Sequence, residues 1–121
     1  MKIPGPDHPI TIAPHPKRVR VMFNGRVVAD SSRALVLHEA HYKPVVYIPR
    51  EDAHMELFQR IAQSTHCPYK GDASYYSLRA DDRAAENAVW SYEQPFPTMA
   101  QIAGHLAFYP DRVDAIEELP L

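Results

Sequence analysis

The sequence predicts a mainly β fold, in which antiparallel β-hairpins form a compact sheet or barrel-like structure with two short helices. Apolar and polar residues alternate over Arg18 to Phe23, the pair Asn24-Gly25 follows at once, and further short apolar runs are separated by turn-forming residues. The 121 residues suffice for one domain with its own core. We therefore expect one β-rich domain over residues 18–121, preceded by a proline-rich extended arm over residues 1–17.

The arm is predicted from its proline content. Residues 1–17 contain five prolines, namely Pro4, Pro6, Pro9, Pro14 and Pro16. Each proline fixes φ and removes an amide donor, which favours an extended chain that could cross a neighbouring molecule. The two pairs His8-Pro9 and His15-Pro16 do not predict a metal site, because an extended arm does not hold two imidazoles in a fixed geometry.

The first two hairpins follow from turn residues and β-branched runs. Arg18 to Phe23 is joined to Arg26 to Asp30 by Asn24-Gly25, a pair that suits the type I′ turn because both of its central residues require positive φ. Arg33 to Glu39 and Pro44 to Pro49 are apolar runs rich in β-branched residues, which predicts a second hairpin.

A third hairpin is predicted from Ala73 to Arg79 and Ala84 to Tyr92, which lie on either side of Asp81-Asp82. Successive side chains of a strand point to opposite faces of the sheet. The second strand should therefore present one face made of Glu86, Ala88, Trp90 and Tyr92.

Two helices are predicted between and after these strands. Acidic residues follow Pro49 at the start of Arg50 to Phe58, where they would suit the dipole of a short helix. Thr98 begins a segment of capping-box form, and apolar residues follow at helical spacing, namely Met99, Ile102, Ala103 and Leu106. Pro110 should end this helix, and Val113 to Ile116 is a candidate last strand before an acidic tail.

Composition excludes several classes of protein. The formal net charge is −2 and the isoelectric point is near 6.4, so there is no basic field to attract nucleic acid. The apolar runs are far shorter than the roughly 20 residues of a membrane span, and the N-terminus does not resemble a secretory signal. The single cysteine, Cys67, forms no internal disulfide, and neither a dinucleotide fingerprint nor a histidine pattern of a metal site is present. We expect a cytoplasmic protein with no nucleic-acid partner, no membrane partner, no metal and no cofactor.

Four segments in the same order and spacing resemble the bacterial domain of unknown function 427 family. They are Tyr47 to Asp52, Cys67 to Gly71, Ala85 to Tyr92 and Ala107 to Val113, within a match over roughly Arg18 to Ile116. The resemblance implies a compact, mainly β single domain with a helix near the C-terminus. It implies no particular activity, although family-level labels place such domains near nucleotidyltransferases. The sequence contains neither a Gly-rich phosphate loop nor a spaced carboxylate pair for Mg²⁺.

The reactive side chains are most concentrated between His66 and Gly71. Cys67 and Lys70 are candidate catalytic residues, because a lysine that folds back across the turn would favour the thiolate. His66 and Tyr69 are candidate ligand-binding residues. In an extended chain His66 points away from Cys67 and is not its base. The alternative is that Cys67 is a small buried apolar residue.

Other candidates are spread along the strands. Arg50 ends a strand, where a guanidinium can bind a carboxylate or phosphate with two hydrogen bonds. Glu86 is a candidate catalytic acid, for which an ion pair with Arg50 is the expected arrangement, and Glu39 is a second acid of this kind. Two further possibilities remain for Trp90, Tyr92 and the pair Tyr75-Tyr76: they either form the aromatic wall of a ligand pocket or fill the core.

The leading hypothesis is a domain that binds a small polar or anionic molecule in a cleft formed by Cys67 to Gly71, Arg50, Glu86 and the Trp90-Tyr92 face. Whether the protein is an enzyme is left open by the sequence. The first alternative is a non-enzymatic interaction module that forms a homodimer through the arm and the strand edges. The second alternative is a nucleotidyltransferase-like enzyme.

Overall fold

The computed structural model describes residues 1–121, which form ten β-strands, four short 3₁₀ segments and no α-helix. The strands are β1 (Ile10–Pro14), β2 (Arg18–Phe23), β3 (Arg26–Ser31), β4 (Leu35–Glu39), β5 (Val45–Tyr47), β6 (Phe58–Cys67), β7 (Gly71–Ala80), β8 (Arg83–Ser91), β9 (Ala107–Phe108) and β10 (Ala115–Leu119). The 3₁₀ segments are Arg50–Asp52, Met55–Leu57, Pro97–Ile102 and Pro110–Arg112. None of the helical segments has the length and apolar character needed to span a bilayer.

The strands form three antiparallel sheets and do not close into a barrel. The strand orders are β1-β4-β5, β10-β2-β3 and β6-β7-β8-β9. An isolated bridge between Ile48 and Leu106 connects the first sheet to the third, and another between Ala29 and Ala53 connects β3 to the segment after β5. The prediction of a mainly β fold is confirmed, whereas the barrel-like alternative is wrong.

All three predicted hairpins are present. β2 pairs with β3 around Asn24 and Gly25, whose φ values of 50° and 73° have the sign that the predicted turn requires. β4 pairs with β5, and β7 pairs with β8 around Asp81, whose φ is 56°. Turn residues and short apolar runs were therefore sufficient to predict these pairs of neighbouring strands.

The predicted face of Glu86, Ala88, Trp90 and Tyr92 is interrupted by a β-bulge. The register between β7 and β8 shifts after Tyr76, and Asn87 has φ 51°. Between the pairs Leu78–Ala85 and Tyr76–Val89, β7 advances by two residues and β8 by four, so β8 contains two extra residues at this point. Ala88 and Val89 are consequently both buried, while Glu86 is exposed. Ala88 and Trp90 pack against different clusters of buried side chains, so the four predicted residues do not form one continuous face.

The predicted helix from Thr98 is a 3₁₀ segment, Pro97–Ile102, with non-helical dihedral angles at Met99. No side chain caps its start, so the predicted capping box is absent. The two buried residues, Met99 and Ile102, are three positions apart, the spacing at which side chains align in a 3₁₀ helix. Leu106 is already extended, because it pairs with Ile48 across the sheets. The segment thus has no room for the predicted α-helix.

The predicted short helix over Arg50 to Phe58 is also wrong. Two single 3₁₀ turns, Arg50–Asp52 and Met55–Leu57, are separated by Ala53, which is extended at φ −116° and ψ 149°. Ala53 is held in this conformation by its bridge to Ala29 of β3. A contact between distant parts of the chain therefore outweighs the local helical signal.

Three strands differ from the predictions. Part of the proline-rich arm forms β1, which pairs with β4, and its Pro14 lies at the end of a strand on the sheet edge, where proline is tolerated. β6 is ten residues long and was not predicted, because it lies at the edge of its sheet and its residues are mostly exposed without apolar alternation. β10 begins at Ala115 and includes Glu117 and Glu118, which were assigned to an acidic tail.

Two clusters of buried side chains form the core. The larger cluster lies between β2, β3, β7 and β8 and includes Phe23, Leu78 and Leu106. The smaller cluster lies beneath the site described below, and its members are Leu37, Tyr47, Ala73, Tyr75, Tyr92, Met99, Ile102 and Ala107. Because three of its eight members are tyrosines, this part of the core carries hydroxyl groups to the edge of a cavity.

Candidate functional site

The centre of the candidate site is a buried ion pair between Lys70 and Glu39. Lys70 lies in the turn between β6 and β7, and Glu39 ends β4. The Lys70 Nζ atom lies 2.5 Å from Glu39 Oε1, and the two side chains are only 8% and 13% exposed. Two such charges are retained away from water only when they are paired. Their position joins the first sheet to the third.

The backbone of the turn holds Lys70 in this position. Gly71 has φ 107°, a conformation that residues with a Cβ rarely adopt. The backbone amide of Phe96 donates to the carbonyl of Lys70 at 3.0 Å. A Cβ at Gly71 would lie 3.5 Å from the Phe96 nitrogen, an ordinary van der Waals contact, so the preference for glycine comes from its φ.

The N-terminal segment supplies a second partner for Glu39. His8 Nε2 lies 2.7 Å from Glu39 Oε2, and the His8 ring stacks on Tyr69 at a centroid distance of 4.1 Å. The backbone amide of Lys2 donates to the carbonyl of Pro68 at 2.7 Å. Residues of the predicted arm therefore lie against the turn that carries Lys70.

The environment of Glu39 favours its charged form. Burial opposes ionisation, but hydrogen bonds from Lys70 and His8 outweigh it, and the pKa of the Glu39 carboxyl lies below its usual value. A group with a lowered pKa stabilises the fold above its unfolded pKa of about 4.3 and loses this contribution as the pH falls through the folded value. The pair should therefore be intact at neutral pH.

We expect the difference in free energy of unfolding between the wild type and Glu39→Gln to be largest above about pH 5 and to shrink as the pH falls toward 3. Denaturant titrations at several pH values measure it. Glu117→Gln is the control, since Glu117 is exposed and forms no ion pair, and its difference from the wild type should stay near zero throughout. A constant difference for Glu39→Gln would contradict the assignment.

Cys67 lies close to the same ammonium group. Its Sγ atom is 3.5 Å from Lys70 Nζ, so the predicted approach of Lys70 across the turn is present. The Lys70 ammonium also donates a hydrogen bond to Glu39. It therefore contacts a carboxylate and the sulfur at the same time. Cys67 itself is half-buried and packs against the smaller core cluster.

A cavity of about 250 Å³ opens beside the ion pair. We call it the aromatic cavity, and the aromatic residues that line it are Tyr42, Tyr47, Tyr75, Trp90, Tyr92 and Tyr109. The Trp90 Nε1 atom donates to the Tyr47 hydroxyl at 3.3 Å, and the ring of Trp90 lies 4.6 Å from that of Tyr109. Lys70 Nζ is 5.8 Å from the centre of the Tyr92 ring, within the range of a cation–π contact.

Two tyrosines of the aromatic cavity, Tyr47 and Tyr92, remain neutral. Burial raises the pKa of Tyr47 and the pKa of Tyr92 well above the usual phenol value, and the nearby Glu39 charge acts in the same direction. A neutral phenol can both donate and accept a hydrogen bond. The cavity therefore combines flat apolar surfaces with hydroxyl groups and one buried ion pair.

Comparison with known families assigns the chain. The family described as domain of unknown function (DUF427) matches residues 11–119, which is nearly the whole sequence. The chain belongs to the DUF427 family. No curated protein matches it. The match begins within β1, so in this DUF427 domain the family region includes the strand contributed by the arm.

Five of the predicted site residues of the DUF427 domain lie together. Lys70, Trp90 and Tyr92 line the aromatic cavity, Cys67 contacts Lys70, and Tyr69 stacks on His8. No group of three or more histidine, cysteine, aspartate or glutamate residues is arranged to hold a metal ion. Of the segment Cys67 to Gly71, Lys70 lines the aromatic cavity and the other residues do not.

Three predicted site residues lie elsewhere in the DUF427 domain. Arg50 binds Glu93 at 3.0 Å and the Tyr76 hydroxyl at 3.3 Å, so the expected ion pair between Arg50 and Glu86 is wrong. Glu86 is exposed after the bulge and forms no ion pair. His66 is exposed and bonds to Asp72 at 2.7 Å, on the side of β6 away from Cys67.

Several residues of the site were missed. They are His8, Tyr42, Tyr47 and Tyr109, and of these His8 had been considered only as a metal ligand. The one signal in the sequence was the number of tyrosines, because five of the seven line one cavity. Their positions are spread over the chain, so no local motif reveals the convergence.

Proposed function

We propose that this DUF427 domain binds a small, flat, polar or anionic molecule in the aromatic cavity. The observation that supports the proposal is the buried Lys70–Glu39 pair at the edge of a cavity that six aromatic side chains line. Ligand sites typically combine a mainly apolar lining with a few fixed polar groups. Here the ion pair and the tyrosine hydroxyls are the polar groups, and the aromatic rings are the apolar lining.

The charge at the mouth of the cavity favours an anion. The Lys70 charge is balanced by Glu39, whereas Lys43, which also lines the cavity, is exposed and forms no ion pair. One uncompensated positive charge therefore faces the opening. An anionic group gains from this cation, while the aromatic part of the ligand stacks on Trp90 or the tyrosines.

N-acetyl-phenylalanine is a suitable first probe, because it carries one aromatic ring and one carboxylate. A ligand at 100 times its dissociation constant stabilises the native state by about 2.7 kcal/mol, which raises the melting temperature by about 10 °C in a domain of this size. We expect thermal shift with millimolar probe to give a stabilisation of this kind. Isothermal titration calorimetry would then give the dissociation constant.

Two variants and one control locate the binding. Trp90→Leu removes an aromatic wall and Lys43→Ala removes the free cation, and each should weaken binding by about tenfold. Lys17→Ala is the matched control, since Lys17 is exposed and does not line the cavity. If the probe and a panel of other aromatic carboxylates leave the melting temperature of the wild type unchanged, the proposal is wrong.

A further inference from the structure

A second, larger cavity borders the aromatic cavity. It has a volume of about 510 Å³ and lies between the sheet β10-β2-β3 and the sheet β1-β4-β5. Nine of its fourteen lining residues are hydrophobic, and five of them are valines, namely Val19, Val21, Val36, Val45 and Val46. We call this cavity the valine groove. Val19 and Val21 are fully buried beneath the groove, so the surface open to an aliphatic chain comes from the half-buried valines Val36, Val45 and Val46 and from Ile116.

Three residues line both cavities, namely Lys43, Val45 and Trp90. The valine groove and the aromatic cavity are therefore neighbours with a common border. Lys43 lies at this border and forms no ion pair. The Lys43 ammonium is thus placed between the aromatic cavity and the valine groove.

The groove contains no second lysine or arginine besides Lys43. His15 Nε2 and Glu118 Oε2 lie 2.9 Å apart, so the other two titratable residues of the lining are bonded to each other. Ile116, on the same strand as Glu118, is 36% exposed despite its apolar side chain. A charged ligand group would therefore be held at Lys43, with its apolar chain directed along the valines toward Ile116.

We infer that the ligand is an amphipathic anion with three parts: an aromatic group in the aromatic cavity, a carboxylate at Lys43 and an aliphatic chain in the valine groove. This inference rests on the function proposed above and names the chemical class of its ligand. An N-acylated aromatic amino acid has this arrangement, because its carboxylate lies between the aromatic side chain and the acyl chain. Transfer of the acyl chain from water to the groove supplies the added affinity.

The test compares N-octanoyl-phenylalanine with N-acetyl-phenylalanine by isothermal titration calorimetry on the full chain. The two probes share the ring and the carboxylate and differ only in the length of the acyl chain. We expect N-octanoyl-phenylalanine to bind at least about tenfold more tightly, because several methylene groups leave water. Equal affinities would overturn the inference and leave the proposed function standing, whereas binding of neither probe would overturn both.

Substitutions then assign the gain to the groove. Ile116→Glu adds a charge at a partly exposed position and should abolish the advantage of the longer chain while leaving the affinity for N-acetyl-phenylalanine unchanged. Glu117→Gln, at the next residue and outside both cavities, is the control and should preserve the advantage. Retention of the full advantage in a folded Ile116→Glu variant would overturn the assignment of the chain to the valine groove.

Discussion

Replacement of Lys70 by methionine is expected to destabilise the protein by about 3 kcal/mol, because Glu39 would keep its charge in a buried position with only His8 as a partner. Methionine retains most of the volume of the lysine side chain, so the loss reports mainly on the charge. Urea denaturation at pH 7 measures the change. The control is Lys17→Met, at an exposed lysine without an ion pair, which should change stability by less than about 0.5 kcal/mol.

A double variant separates the loss of the pair from the cost of the orphaned charge. Lys70→Met combined with Glu39→Gln removes both charges and should be more stable than Lys70→Met alone, since no unpaired buried charge remains. The interaction between the two substitutions is read from the double-mutant cycle. Additive effects of the two substitutions would show that Lys70 and Glu39 do not act as a pair.

The second large effect is expected at Ile102. Its side chain is fully buried in the cluster beneath the aromatic cavity, so Ile102→Ala should leave a void and cost about 3 kcal/mol. Gln101→Ala, at the exposed neighbouring position, should change stability by less than about 0.5 kcal/mol. Denaturant unfolding of both variants under the same conditions gives the comparison. A loss at Gln101 as large as that at Ile102 would contradict the burial pattern of this 3₁₀ segment.

The segment that contains Ile102 was predicted to be an α-helix but is a 3₁₀ segment. Met99, Ile102 and Leu106 have spacings that suit an amphipathic helix, and nothing in their neighbourhood excludes one. The α-helix fails because Leu106 pairs with Ile48, a residue 58 positions earlier in the chain. Periodicity describes which residues are buried, but it does not distinguish a six-residue 3₁₀ segment from the first turns of a longer helix.

The hairpins were predictable because their turns depend on residues that are adjacent in the chain. Asn24-Gly25 and Asp81-Asp82 determine backbone geometry over two residues, and the adjacent strands follow directly. β6 was not predictable in this way, because an edge strand with exposed residues on both faces has no apolar alternation. Its pairing with β7 depends on the turn at Pro68 to Lys70, which the sequence marked as a turn but not as the end of a strand.

In the candidate site, too, contacts between neighbours in the chain were predictable and contacts between distant residues were not. The segment Cys67 to Gly71 was recognisable because its reactive side chains are neighbours in the chain, and the contact between Cys67 and Lys70 spans only three residues. Glu86 lies beside a bulge of two extra residues at Asn87 and is exposed, so it has neither the burial nor the ion pair predicted for it. Arg50 was paired with the wrong acid, Glu93 being its partner.

By itself, the sequence determined that this chain is a mainly β DUF427 domain with three local hairpins and a reactive turn at Cys67 to Gly71. Each of these features depends on residues close together in the chain. Only the tertiary structure decided which acid neutralises Lys70, which tyrosines surround Trp90 and where the valine groove lies. The physical reason is that Glu39 and Lys70 are 31 positions apart. Such contacts form between sheets, and no local pattern of polarity or turn chemistry encodes how the sheets pack together.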